Sequence, residues 1–426
     1  MATTGKIAQV MFEAAKDTYE SQNQLLPLCT FNEPDPEKQQ NSNNVIWYPV
    51  QQHAPIIDGW DLTGEETDII EETYPVILGV PTNDFVSQRA DDLRDKRFWM
   101  RRGEQSGRRQ ASNLNQKIAE AIRTQGSLFY RSSVASGYDF IAEAQALMNE
   151  RQAYTTERCF VLNDRDTLKF SSELAGRETI KGRPADTWLS GQIGSNVAEF
   201  DVFTGSYLPN ITGGADPATT VTGDQSFAPE GGSADAATGI VTNVDYRSAT
   251  IVVAASASYA VGDKVTFSNT AVPVEALGLD DKTVTGEPMT FTIVAKPSGT
   301  SITVYPKPIA ADDPALSTLE KAYANINTQI LNGATVDRLN TDASKKSNLF
   351  WDKSAIEVTG GTIPAELFAQ YDGMKVITDT MSNGLQLYMI YDGDIATMTF
   401  RYRIFTWWGI TVCNPANAGV AVTFTA

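Results

Sequence analysis

Residues on which enzymes and metal sites depend are scarce in this sequence. Histidine occurs once, at His53, and the chain has no HExxH, GxSxG or GxxxxGKS/T motif. The cysteines Cys29, Cys159 and Cys413 are far apart and odd in number, which argues against a disulfide framework and against a pair at metal-ligand spacing. We therefore expect no enzymatic activity, no cofactor and no metal.

Long apolar runs and an excess of positive charge are missing as well. No stretch reaches the roughly 18 apolar residues of a membrane span, and the N-terminal segment lacks the basic start and apolar run of a signal peptide. Cytoplasmic synthesis, a soluble product and no membrane partner are expected. The 34 Lys and Arg residues face 52 Asp and Glu residues, a formal net charge of -18, which disfavours nucleic-acid binding as the main role.

What the chain does contain is a large apolar fraction and one basic run. Its 426 residues are 42% hydrophobic, enough for two or three domains. Residues 83–126 hold ten Lys and Arg against six acids. Apolar side chains recur there every four residues, at Leu114, Ile118 and Ile122. This pattern predicts an amphipathic helix that starts at Asp84 or Ser87 and is kinked or divided near Gly103 and Gly107, with an acidic protein surface as its partner.

An acidic segment precedes the basic one. Residues 45–57 and 73–80 are β-rich and flank a run, residues 58–72, with seven acids and no base. Prolines at positions 49, 55 and 75 each remove a backbone donor, so these segments suit the edges of an extended arm. We predict a long hairpin with an acidic distal end. Because it exposes Trp47, Tyr48 and Trp60, it needs a partner surface.

Other segments indicate a mixed α+β chain. Helical spacing predicts amphipathic helices over residues 5–22, on a flexible arm, and over residues 138–152. Residues 158–162 suit a buried strand followed by a turn. Between residues 211 and 337 the chain has one arginine, Arg247, and short Thr- and Val-rich runs that are typical of an inserted antiparallel barrel or sandwich. The chain from residue 374 onward is again β-rich.

Six motifs occur in an order that resembles a known family. They are IWYPV, WDLT, NDFVSQRADDLRD, KPIAADD, KAYANIN and NLFW, which begin at Ile46, Trp60, Asn83, Lys307, Lys321 and Asn348. Together they resemble the major capsid (coat) proteins of the phage P22-like family over essentially the whole chain. The resemblance implies an α+β, HK97-like phage capsid fold with a long spine helix, an extended β-hairpin loop and an inserted antiparallel β-barrel domain.

The resemblance also implies a division of the chain. The expected parts are an N-terminal arm (1–41), an extended loop (42–82), a spine helix of the peripheral domain (83–126), an axial domain (127–221 and 347–393), an inserted β-barrel domain (222–346) and C-terminal strands that complete the peripheral domain (394–426).

Three sets of interface residues follow from the resemblance. In this fold the extended loop lies across a neighbouring subunit, so we expect acids of one subunit to meet spine-helix arginines of the next: Asp58, Asp61, Glu65, Glu66, Glu71 and Glu72 with Arg94, Arg97, Arg101, Arg102, Arg108 and Arg109. Glu13 and Asp17 match the arm positions implicated in scaffold binding. Glu230 and Asp235 lie in the loop that crosses to a neighbouring capsomer in the family, although this loop is less acidic than the family pattern.

The implied function is that of a major capsid protein. Such a protein self-assembles with a scaffolding protein into an icosahedral shell of hexamers and pentamers, here expected to be T=7. The shell contains a portal protein and packages double-stranded DNA without sequence specificity. Assembly would take place in the bacterial cytoplasm, and the product would be the virion. The alternative is a β-rich virion decoration or adhesin protein, which the Thr- and Gly-rich middle of the chain suggests.

Overall fold

The structure is a computed structural model, and it describes residues 2–33, 39, 43–64, 68–89, 95–132, 137–153, 157–168, 170, 192–234, 241–270, 272–341, 345–364, 370 and 374–423. Its helices are α1 (Ala2–Gln22), α2 (Lys96–Gln125), α3 (Tyr138–Glu150) and α4 (Thr318–Lys321). Short 3-10 helices occupy Leu26–Leu28, Lys353–Ala355 and Pro415–Asn417.

The strands of the first half are β1 (Thr30–Asn32), β2 (Val45–Pro49), β3 (Thr73–Ile77), β4 (Thr82–Arg89), β5 (Leu128–Ser132), β6 (Arg158–Leu162), β7 (Gln192–Val197), β8 (Phe200–Thr204), β9 (Asn210–Ile211) and β10 (Thr219–Thr220). The middle of the chain adds β11 (Ser233–Ala234), β12 (Val241–Thr242), β13 (Ala249–Val252), β14 (Lys264–Asn269), β15 (Val272–Pro273), β16 (Glu275–Leu277), β17 (Val284–Pro288), β18 (Phe291–Ser298), β19 (Ser301–Tyr305), β20 (Thr335–Arg338) and β21 (Lys345–Lys346). The last strands are β22 (Asn348–Asp352), β23 (Ile356–Gly360), β24 (Lys375–Thr380), β25 (Gln386–Asp394), β26 (Thr399–Thr406), β27 (Trp408–Val412) and β28 (Ala418–Thr423).

These helices and strands form two compact units. The first unit is Met1–Ile46, Val76–Ile118 and Ile356–Thr411, and the second unit is Trp47–Pro75, Ala119–Ala355 and Val412–Ala426. The division falls within α2. These units cut the chain differently from the arm, loop and domain boundaries that the resemblance implies, and that finer division stays a prediction.

A four-stranded antiparallel sheet and two helices build the first unit. The sheet has the order β24-β25-β26-β4. Trp99 of α2 is fully buried and meets the rings of Phe400 and Tyr402 edge-on, with centroids 6.1 and 6.0 Å away. A second sheet has the order β1-β23-β27. The sheet residues thus give α2 an apolar surface on which to pack.

Two predictions for this unit are wrong. Residues 82–89 form strand β4, which pairs with β26 from Thr82–Thr406 to Arg89–Thr399, so the helix starts at Lys96 rather than at Asp84 or Ser87. Helix α1 is formed as predicted, but its inner side is buried in the core rather than carried on a flexible arm. The buried side chains include Met11, Phe12, Ala15 and Tyr19.

Helix α2 is unbroken over Lys96–Gln125, so the predicted alternative of two helices in line is wrong. Its glycines serve a close helix contact: a Cβ on Gly103 would collide with the Met11 carbonyl of α1, and one on Gly107 would collide with the Ala15 carbonyl. The lack of a side chain at both positions lets the two backbones touch. Glycine is a poor helix former, and its presence at both positions in α2 is explained by this close packing.

The second unit contains a six-stranded mixed sheet and the inserted β region. The sheet has the order β5-β28-β22-β6-β8-β7, with β28 antiparallel to β22 and parallel to β5. Helix α3 buries Phe140, Ile141, Ala144 and Met148 in a core with Phe160 and Phe350. Strand β6 is fully buried as predicted, but residues 164–168 are helical, whereas we predicted a turn over residues 163–166. The Asn163 side chain accepts the Arg165 and Asp166 amides there, as an N-cap does.

The inserted region is antiparallel and β-rich, as predicted. Its sheet has the order β10-β20-β14-β18-β19-β13, with β15 on β14, and its core includes Ile251, Phe267, Phe291, Ile302 and Val336. The barrel is not confirmed. In the part of the chain that the structure describes, the end strands β10 and β13 do not pair as strands, so the sheet is not closed. Just beyond them, Val221 and Val253 form an isolated bridge.

A buried lysine joins the inserted region to the end of α2. Lys264 is fully buried, and its Nζ donates to the Arg123 carbonyl at 3.0 Å, to the Gly126 carbonyl and to Thr292 Oγ1 at 2.7 Å. Burial holds the pKa of Lys264 well below its ordinary range. A cation among the last carbonyls of a helix satisfies acceptors that have no partner within the helix.

Candidate functional site

The exposed face of α2 carries the arginines that the sequence singled out. Arg97, Arg101, Arg108 and Arg109 are exposed, whereas Trp99, Leu114 and Ile118 are buried. At about 100° per residue, the first three of these arginines lie within roughly 40° of one another around the helix. Within the described residues none of the four forms an ion pair. Among the described residues, the helix therefore presents a cationic surface that has no ion-pair partner.

Arg102 does not belong to that surface. Arg102 is half-buried, pairs with Asp84 Oδ1 at 2.7 Å and donates through Nε to the Tyr402 hydroxyl at 3.0 Å. Its charge already has a partner inside the subunit, and its inter-subunit role stays a prediction. Arg94 lies outside the described residues.

The predicted hairpin is present but shorter than expected. Strands β2 and β3 pair, and the Val50 amide donates to the Glu72 carbonyl at 2.9 Å just beyond them. From there to the tip, the described residues form no regular strand, because Pro49 and Pro55 cannot donate to a ladder. The hairpin therefore ends in an irregular loop.

Acidic and apolar side chains share this loop. Asp58, Asp61 and Glu71 are exposed, while Glu65 and Glu66 lie outside the described residues. The Thr63 hydroxyl and amide donate to Asp61 and lower the pKa of its carboxyl. The loop also exposes Trp60. An apolar side chain surrounded by exposed acids is typical of a surface that another protein covers.

Glu72 belongs to a different environment. It is half-buried at the base of the hairpin, and burial raises the pKa of its carboxyl to about 6, against the opposing effect of Lys307 and Arg247. Arg247 pairs with Asp245 at 2.9 Å. This charge cluster is internal to the second unit. Glu72 therefore lies outside the exposed acidic loop, although we had predicted it to be one of the acids of that loop.

Glu230 also has a partner within its own subunit. Its carboxylate is 3.1 Å from Lys307 Nζ, and its side chain remains half-exposed. Asp235, predicted with it in the capsomer-crossing loop, lies outside the described residues. The crossing role of this loop stays a prediction.

The outer side of α1 is acidic. Glu13 and Asp17 are exposed one turn apart. Their neighbours on the helix are held by the first unit, since Lys16 Nζ is 2.7 Å from Asp379 and the Glu20 carboxylate accepts the Ser382 amide at 2.7 Å. The two acids are thus presented by a fixed helix.

Several exposed apolar side chains were missed by the sequence analysis. Ile56 in the hairpin loop, Val80 after β3, and Ile395 and Met398 between β25 and β26 are all strongly exposed. Apolar residues in turns such as GDIATM were the signal that could have identified the last two.

Two other features, a metal site and a membrane-spanning helix, are absent from the described residues. Among the residues that the structure describes, no cluster of His, Cys, Asp and Glu side chains is arranged to hold a metal ion. No described helix is both long enough and apolar enough to cross a membrane.

Solved structures similar to the chain are capsids and a virus-like particle. The capsid of cyanophage P-SCSP1u is 12% identical, with 94% of this chain and 87% of that chain covered and a TM-score of 0.43. The mature capsid of bacteriophage PhiM1 is 9% identical, covering 94% and 86%, with a TM-score of 0.40. The virus-like particle from Pyrococcus furiosus is 9% identical, covering 97% and 98%, with a TM-score of 0.36.

One family model covers nearly the entire sequence. The family described as "P22 coat protein - gene protein 5" matches residues 1–423. The alternative, a decoration or adhesin protein, was suggested by the middle of the chain alone. The family match covers that region together with the rest of the chain. The chain therefore belongs to the P22 coat protein family, and it is a major capsid protein with the HK97-like capsid fold.

Proposed function

We propose that this coat protein assembles with a scaffolding protein into a T=7 icosahedral shell of hexamers and pentamers, which takes up a portal protein and packages double-stranded DNA without sequence specificity. The observation that carries the proposal is the family match over residues 1–423. Apolar side chains exposed on loops, such as Trp60 and Ile395, support it because an assembling subunit must bury such groups against its neighbours.

Electron microscopy of the protein expressed with its scaffolding protein tests this function. Closed shells with pentameric vertices are the expected product. Dispersed monomers, or open sheets that form equally well without scaffold, would contradict it.

The contact between subunits is proposed to join the hairpin loop to the arginine surface of α2. Asp58, Asp61 and Glu71 of one subunit would face Arg97, Arg101 and Arg108 of the next. Both groups are exposed. Exposed pairs are individually worth about 0–1 kcal/mol, so they would fix the register between subunits rather than supply affinity. Burial of Trp60 and Ile56 would supply the affinity, because apolar area contributes about 25 cal/mol per Å².

Charge reversal and its compensation test this contact. The triple variant Asp58→Lys, Asp61→Lys and Glu71→Lys should remain a folded monomer and fail to form shells. Adding Arg97→Glu, Arg101→Glu and Arg108→Glu should restore part of the assembly, because each pair is then reversed as a whole. A matched control reverses exposed acids elsewhere, at Glu143, Asp164 and Glu287. Normal shells from the hairpin variant, or no rescue by the compensating changes, would disprove the pairing.

The acidic side of α1 is proposed to contact a basic segment of the scaffolding protein. Glu13 and Asp17 are exposed on a helix whose opposite side is fixed in the core. Glu13→Ala with Asp17→Ala should reduce the scaffold retained in assembled particles without lowering monomer stability. Glu143→Ala, on the exposed side of α3, is the control. Unchanged scaffold content in the double variant would refute this contact.

A further inference from the structure

A cavity of about 540 Å³ lies within the second unit. Its wall combines His53 from the hairpin, Arg151 after α3, Lys282 and Met289 from the inserted region, and Tyr323 after α4. The volume falls in the range of roughly 300–1,000 Å³ that is usual for small-molecule sites.

One part of the wall is apolar. Leu277, Met289, Tyr305 and Ile309 line the cavity and are buried. The ring of Tyr323 is 5.3 Å from that of His53 and nearly perpendicular to it. Burial, followed by the charge of Lys282, lowers the pKa of His53, so this imidazole is neutral near pH 7. This part of the cavity suits an aliphatic or aromatic body.

Next to Met289, the wall holds a buried cation, Arg151, which has no counterion among the described residues. Arg151 is 4% exposed, and its Nη2 donates to the Pro288 carbonyl at 2.9 Å while Nη1 contacts the sulfur of Met289. Its Nε has no hydrogen-bond partner, and within the described residues Arg151 forms no ion pair. Glu150 and Glu287 act on it only at longer range. A buried guanidinium with an unused donor is costly unless an acceptor is supplied.

A second cation, Lys282, lines the cavity on a turn whose backbone is bound to Arg151 and Gln152. The Leu279 amide donates to the Arg151 carbonyl at 3.2 Å, and Gln152 Oε1 accepts the amides of Asp280 and Asp281 at 3.1 Å. These bonds place the turn that carries Lys282 against Arg151. Lys282 is partly buried, and it too forms no ion pair in the described part of the chain.

The other charged residues of the cavity are already balanced. Lys307 pairs with Glu230 and Arg247 pairs with Asp245, while Glu72 lies beside these two cations. Asp280 is the remaining acid in the wall; it is exposed and, with Asp281, acts on Lys282 through charge without forming an ion pair in the described part of the chain. The positive charge that lacks a partner is therefore concentrated at Arg151 and Lys282.

We propose that this cavity binds a small amphipathic anion, with one carboxylate, phosphate or sulfonate group at Arg151 and Lys282 and an apolar body against Leu277, Met289 and Ile309. The site is complete within one subunit, so it does not depend on the assembly proposed above. Since His53 and Glu72 of the hairpin also line the cavity, a bound anion would stabilise the base of the hairpin.

Calorimetric titration of the purified full-length monomer with 1-naphthyl phosphate tests the proposal. Binding should be saturable with one site per chain. Two further titrations separate the contributions: 1-naphthol lacks the anion and inorganic phosphate lacks the apolar body. Each should bind about tenfold more weakly or not at all, because each loses one half of the recognition.

Two variants and one control locate the site. Lys282→Glu should weaken naphthyl phosphate binding about tenfold or more, and Leu279→Trp should block it by filling the cavity without a change of charge. Lys353→Glu changes an exposed lysine of the same unit outside the cavity and should bind as wild type does. Hydrogen exchange on the wild-type protein is a readout that needs no variant, and residues 149–153 and 279–282 should become protected.

Any one of several results would overturn the proposal. They are no saturable binding at millimolar naphthyl phosphate, equal affinity for 1-naphthol and naphthyl phosphate, or an equal loss of binding in the Lys282 and Lys353 variants. Protection at peptides outside the cavity would overturn it as well.

Discussion

Gly103 of α2 faces the Met11 carbonyl of α1 at a distance that leaves no room for a Cβ. Four residues later, Gly107 faces the Ala15 carbonyl in the same way. The repeat of one helical turn makes the contact continuous along both helices. Helix α1, which presents Glu13 and Asp17, is thereby fixed against the helix that presents the arginines.

Alanine at either glycine should therefore destabilise the monomer. Helix propensity alone would make Gly107→Ala stabilising by about 0.5–1 kcal/mol. Overpacking against backbone typically costs about 1–3 kcal/mol, so we expect the urea midpoint to fall. Gln105→Ala, at an exposed position between the two glycines, is the control and should leave the midpoint nearly unchanged. A more stable Gly107→Ala protein would contradict the contact.

Glu72→Gln should change stability in a pH-dependent way. The pKa of Glu72 is raised from 4.5 to about 6 by burial, so the folded state binds the proton more tightly than the unfolded state. The stabilisation that comes from this tighter proton binding is fully present below pH 4.5 and is lost as the pH rises through about 6. The neutral amide should therefore stabilise the protein by about 1 kcal/mol at pH 7.5, after allowance for partial exposure, and by nothing at pH 4.5.

Urea unfolding at the two pH values measures this effect. The neighbouring Glu71→Gln is the control, because Glu71 is exposed and the substitution should leave stability unchanged at both. Equal behaviour of the two variants would show that burial does not raise the pKa of Glu72.

Lys264→Met should weaken the end of α2. The unbranched methionine side chain is one atom shorter than that of lysine and leaves the Arg123 carbonyl without its donor, while Thr292 still donates to Gly126 at 2.7 Å. Loss of a donor to a buried carbonyl costs about 1–3 kcal/mol. Hydrogen exchange should show faster opening of the last turn of α2. Lys296→Met is the control, since Lys296 lies on the neighbouring strand β18 at the partly exposed end of that strand. Equal exchange in the two variants would refute a capping role.

Arg101→Ala and Arg102→Ala should separate assembly from stability. Arg102→Ala removes the partner of Asp84 and should cost about 1–3 kcal/mol in the free energy of unfolding. Arg101→Ala removes an exposed side chain and should change it by less than about 0.5 kcal/mol. If the arginine surface binds a neighbour, Arg101→Ala should instead raise the protein concentration needed for shells. The reverse assignment of the two effects would disprove the division of roles.

The sequence predicted elements whose pattern is local. Helices α1 and α3, strand β6 and the short strands of the inserted region follow from spacing and composition alone. Residues 82–89 were misassigned because Asp84 and Ser87 are typical N-caps, whereas the strand depends on pairing with β26, more than three hundred residues away. Gly103 and Gly107 indicated a break because their partner α1 cannot be inferred from helix propensity.

The candidate interface was only partly predictable, because charge is a local property of the sequence and pairing is not. The signs of the charges in residues 58–72 and 83–126 are visible in the sequence, but which side chains are already paired is not. Arg102 and Glu72 lie one residue from the exposed Arg101 and Glu71, and only packing distinguishes them. The cavity at Arg151 and Lys282 was not predictable, because its wall is assembled from segments far apart in the chain.

Strand β28 lies between β5 and β22 in the sheet of the second unit. During synthesis, β5 leaves the ribosome nearly three hundred residues before this partner does. Until then, β5 has no neighbour in the sheet and β22 keeps one open edge. Unpaired edges of this kind are templates for aggregation, and distant pairings form slowly. The newly made chain therefore passes through a stage at which protection by a chaperone matters, before it can present any surface to another subunit.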